Sequence, residues 1–103
     1  MVKLVALYKQ PEDKQAFDKH YFEVHLPLTE KMPGLIKTKV TKFSSTPMGT
    51  ESPFYLQADM YFESEEALQA AMKSPEGKAA AKDVMSFARK LITMIIGEEA
   101  EAE

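Results

Sequence analysis

The chain has no cysteine, which excludes a disulfide framework, thiolate metal ligation and a cysteine nucleophile together. Long apolar runs are also missing. The longest, LITMII at 91–96, falls far short of the ~20 residues a membrane-spanning helix needs. The opening MVKLVALY passes straight into a strand-like pattern, with no charged segment and small-residue cleavage site, so no signal peptide is expected and the cytoplasm is the expected location. Glycine is scarce: the four residues at 34, 49, 77 and 97 are isolated, so no phosphate-cradling loop can be drawn and no bound cofactor is expected. Positive charge is in deficit. With 13 Lys and Arg against 16 Asp and Glu the net charge is −3, which supplies no basic field for nucleic acid.

What is present fits one folded domain of 103 residues, 45% hydrophobic and 28% charged. A chain of this size lies near the range where self-association becomes a useful source of buried area. We place the domain at 1–97 and an acidic tail, expected to be disordered, at 98–103. VKLVALY at 2–8 reads as a strand with apolar residues on both faces. From Glu12 the period changes: Phe17, Tyr21, Val24 and Leu28 mark one helical face, and the helix is expected to falter near His25 because Pro27 follows. LIKTKVTKF at 35–43 and PFYLQADMYF at 53–62 are further strands, joined by a turn-rich loop at 44–53 long enough for an arm or lid. A helix capped by Ser64 is interrupted at Ser74-Pro75-Glu76-Gly77 and resumes over 79–89. LITMIIG is the last strand. The order βαββαβ predicts an α+β, ferredoxin-like fold, with two helices on one face of a four-stranded antiparallel sheet.

The other face needs a cover. Along the third strand Leu56, Ala58, Met60 and Phe62 should lie under the helices, while Tyr55, Gln57, Asp59 and Tyr61 alternate to the opposite side. Apolar residues on both faces of the first and last strands predict that two sheets associate face to face as a homodimer. Asp59, a carboxylate amid aromatics, either pairs with Lys37 or Lys39 of the neighbouring strand or is set for proton transfer. The methionines in regular elements, Met60, Met72, Met85 and Met94, read as adaptable core filler.

The two histidines stand five residues apart in HYFEVHLPLTEKMPGL. On a regular α-helix that spacing sets them roughly 140° apart, at about 100° per residue, so they should not act as a pair. No third His or Cys exists to complete a metal site. His25, before Leu26-Pro27, serves a helix end through its carbonyls or serves a site as general acid or base. His20, with Glu23 nearby, reads as solvated or locally paired.

YKQPED, AFDKHYFEVHLPLTEKMPGL, PFYLQADMYF and MKSPEGKAAAKDVMSFA, spread in this order over most of 5–90, resemble the EthD family of the dimeric α/β-barrel superfamily. The resemblance implies a ferredoxin-like protomer whose sheet meets a second copy's to form a barrel. It implies an oxidoreductase or accessory enzyme in the breakdown of apolar ether or aromatic compounds, with His25 and the Pro33-Gly34 turn at characteristic positions. The resemblance points to His25, and the strand alternation adds the rest: His25 and Asp59 are the expected catalytic residues, with Tyr55, Tyr61, Gln57 and His20 binding the substrate. The competing expectation is a carrier that holds an apolar ligand without chemistry.

Overall fold

The computed structural model describes residues 1–100. Its elements are β1 (Val2–Lys9), α1 (Lys14–His20), a π turn (Tyr21–His25), α2 (Leu26–Glu30), β2 (Lys37–Lys42), β3 (Phe54–Phe62), α3 (Glu65–Lys73), α4 (Pro75–Ala88) and β4 (Ile92–Glu98). The sheet is antiparallel in the order β2-β3-β1-β4, the ferredoxin-like arrangement expected from the element order. No helix among the described residues is long and apolar enough to cross a membrane.

The core forms because alternating strand residues meet amphipathic helices. Leu4, Ala6 and Tyr8 of β1 and Leu56, Ala58, Met60 and Phe62 of β3 are buried with Phe17, Tyr21, Leu68, Ala80 and Val84 of the helices. Direct cross-strand partners share a face. The pairs Val5↔Asp59, Val5↔Ile95 and Leu7↔Gln57 therefore place these residues on the side away from the helices.

Three local features depart from the sequence expectations. The first helix does not end near His25. Its backbone opens into the π turn, whose end is closed by Leu26 N donating to Tyr21 O, and resumes as α2 with Pro27 near its start. The change of pitch falls just before the residue that has no N–H to give to the preceding turn. The second helical region breaks only at Ser74, whose hydroxyl accepts from Gly77 N at 3.0 Å and so caps α4 directly. Gly77 is needed there: a Cβ would run into Ala71 O and lie 2.8 Å from Met72 Cα. Third, β4 reaches Glu98, and Glu99 N donates to Met1 O, so strand pairing runs past the boundary drawn at 97. Residues 101–103 of the expected tail lie outside the described residues.

Candidate active site

The π turn sets the site. Residues five apart come to one side of a π turn, whose hydrogen bonds close i→i+5; His20 stands just before this one and His25 ends it. Both rings consequently reach one carboxylate on α4. His20 Nε2 lies 2.9 Å from Asp83 Oδ1 and His25 Nδ1 lies 3.0 Å from Asp83 Oδ2. The expectation that the histidines face apart is overturned by this local change of pitch. Phe87, one turn along α4, packs against both imidazoles, with ring centroids 4.3 Å from His20 and 5.3 Å from His25.

The two histidines differ in surroundings. His20 is part-exposed, whereas His25 is 5% exposed and lines a cavity of about 70 Å³ between the sheet and the helices. A carboxylate only accepts, so the bond to Asp83 fixes the His25 proton on Nδ1, and Nε2 has no protein partner among the described residues. Burial holds the His25 pKa below 6.5, outweighing the upward pull of the Asp83 hydrogen bond and charge, while His20 adds to the depression. The ring is thus a neutral base near pH 7.

Most of the lining is apolar, Leu4, Ala6, Met60, Met72 and Val84 among it; Thr29 also faces the cavity region, its hydroxyl donating to Leu26 O at 2.8 Å. Met94, exposed on β4, stands at its rim. Tyr8 also lines it, fully buried, its ring set edge-on against Phe17 at 5.2 Å and Tyr21 at 5.7 Å. Burial, with Tyr21 and Asp83 adding charge repulsion, pushes the Tyr8 phenol far up, so it keeps its proton.

The remaining expected site residues are elsewhere. Asp59, Gln57 and Tyr61 lie on the outer sheet face, separated from His25 by the sheet itself, so His25 and Asp59 do not share a site. Gln57 Nε2 donates to Asp59 Oδ1 at 3.0 Å. The cation nearest Asp59 is Lys3 of β1, 3.6 Å away, rather than Lys37 or Lys39 of β2. Those lysines stack over the Tyr61 ring at 4.8 and 5.5 Å. Tyr61 donates to Glu99 Oε2 at 2.7 Å, a bond that, with some desolvation, pushes the phenol pKa up to about 12.

Tyr55 departs from the alternation. Tyr8 pairs with Leu56 but Lys9 with Phe54, leaving Tyr55 as the extra residue of a β-bulge. The bulge turns it toward the helices, where its hydroxyl donates to Asp18 Oδ1 at 2.8 Å and its ring meets Phe17 edge-on at 5.5 Å.

Among the described residues no cluster of three or more His, Cys, Asp or Glu side chains is placed to hold a metal ion. Sequence reasoning missed Tyr8, Asp83 and Phe87. Asp83 did leave a trace: an acidic residue set between Ala80 and Val84 in the apolar stripe of α4. Tyr8 left none, since a tyrosine ending an apolar strand reads as core.

Comparison with known proteins bears on the family and the fold. The EthD domain model matches residues 9–90. An uncharacterized 11.0 kDa protein in the thcB-thcC intergenic region of Rhodococcus erythropolis is 36% identical over 99 residues, spanning 96% of this chain and 95% of that protein. The crystal structure of an ethyl tert-butyl ether D (EthD) family protein from Bacillus halodurans is 60% identical, with a TM-score of 0.94, covering 97% of this chain and 99% of that one. A dimeric protein of unknown function and ferredoxin-like fold from Bacteroides fragilis shares the fold at 18% identity, TM-score 0.67, over 95% of both chains. The chain belongs to the EthD family.

Proposed function

We propose that the protein is a proton-transfer enzyme for a small apolar, oxygen-bearing compound, with His25 as general base and acid in the cavity between sheet and helices. The observation that carries this is the Asp83–His25 pair. A carboxylate at 3.0 Å fixes the proton on Nδ1 of a buried imidazole that lines a largely apolar cavity, so Nε2 is the atom left to exchange protons. The name of the family fits such a compound, and we place the step beside an oxidation in the breakdown of ethers or aromatics.

A second reading is a carrier that binds the same ligand without chemistry. It is favoured by the adaptable methionines Met32, Met60, Met72 and Met94 around the cavity. Turnover of the compound that co-purifies with the protein, identified by mass spectrometry, separates the two. His25→Ala is expected to lower kcat by about 10²- to 10⁴-fold while ligand affinity changes little. Equal turnover in mutant and wild type would leave only the carrier.

We further infer that the working form is a homodimer closed over the outer sheet face. Support comes from Val5, Leu7 and Ile95, which share that face, Ile95 being 55% exposed, and from the dimeric character of the Bacteroides fragilis protein.

A further inference from the structure

We propose that the Tyr8 hydroxyl is the donor that holds an acceptor oxygen of the ligand, which makes the cavity a site for small ketones, esters or ethers rather than hydrocarbons or polar acids. The inference rests on the cavity reading above and names the ligand class for it.

Tyr8 is 0% exposed, and its hydroxyl has no hydrogen-bond partner among the described residues. A buried hydroxyl without a partner is costly. Phenylalanine would fill the same space against Phe17 and Tyr21 without that penalty, so the oxygen calls for an account of its own. Only two other buried side-chain atoms among the described residues share the condition, Gln10 Oε1 and Thr38 Oγ1, and neither residue lines this cavity.

The chemistry of the lining then selects the ligand. Tyr8 keeps its proton because burial disfavours the phenolate, so it offers an O–H to an acceptor. His25 offers a lone pair at Nε2 and does not compete for an acceptor oxygen. Thr29 also lines the cavity, but its hydroxyl proton is already given to Leu26 O at 2.8 Å, so it offers the ligand no donor. Leu4, Ala6, Met60, Met72 and Val84 supply only apolar contact, so most of the ligand must be hydrocarbon. The volume of about 70 Å³ is half of the roughly 150 Å³ that accepts benzene. The ligand, or the part of it that enters, is therefore a few carbons and one oxygen unless the methionines yield.

The test uses the whole protein and two pairs of probes matched in shape: butan-2-one with 2-methylbut-1-ene, and tetrahydrofuran with cyclopentane. Each is titrated while NMR follows the methyl signals of Met60, Met72 and Met94. In the wild type at least one oxygenated probe is expected to bind about tenfold more tightly than its hydrocarbon partner, one hydrogen bond's worth; the pair that shows the preference tells carbonyl from ether. Tyr8→Phe is expected to abolish the preference while raising the melting temperature by a few degrees, which shows that the variant is folded. An unchanged preference in Tyr8→Phe, or hydrocarbon binding as tight as oxygenate binding in the wild type, overturns the role of Tyr8 and leaves the cavity reading intact. If no probe moves the methyl signals, the cavity reading falls and this inference falls with it.

Discussion

Asp83 decides which nitrogen of His25 can work. With the proton held on Nδ1 at 3.0 Å from Oδ2, Nε2 is free to act as a base. An asparagine can instead donate to Nδ1, which would move the ring proton to Nε2 and remove the base. Asp83→Asn is therefore expected to lower turnover by about a hundredfold or more. Because Asp83 raises the His25 pKa against burial, the acid limb of the residual pH–rate profile should also move to lower pH. A profile unchanged in height and position would contradict the assignment. The same depression bears on stability. The folded state binds fewer protons at His25 than the unfolded chain does, so stability is full above about 6.5 and is lost as pH falls toward the lower folded value.

The elements show why part of this was legible in the sequence and part was not. Strand periods, the Ser64 cap and the alternation along β3 are set by local residue type, and the fold follows from them. The π turn at Tyr21–His25 carries no comparable local signal. Pro27 looked like a terminator, but the chain changes pitch just before it and stays helical as α2, so a pair of histidines was read as facing apart. The bulge at Tyr55 is likewise a property of register with β1, which one strand alone cannot reveal. Asp83 lies 58 residues from His25, and only packing of α4 on the first helix joins them. β4 presents an unpaired edge, with Met94, Ile95 and Ile96 at 41, 55 and 40% exposure, an unusual burden for a free protomer. Sedimentation at micromolar concentration is expected to give a dimer for the wild type and a monomer for Ile95→Lys, which places a charge on the outer sheet face. A monomeric wild type would contradict the closed barrel.

For the molecule as a whole, the sheet separates two chemically different surfaces. The helix side holds His25, Tyr8 and the apolar cavity, whereas the outer side holds Asp59, Gln57, Tyr61 and three lysines in a mutually satisfied polar array. The sequence placed catalytic candidates on both, since residue types alone do not tell which face a helix will close. In our account the outer array belongs to association and the inner cavity to chemistry. A crystal structure of the protein with its co-purifying or turned-over compound tests this most directly. The account predicts ligand density between sheet and helices, with an atom of the compound within about 3.2 Å of His25 Nε2. Ligand density against Asp59, Gln57 and Tyr61, with the inner cavity unchanged, would contradict it.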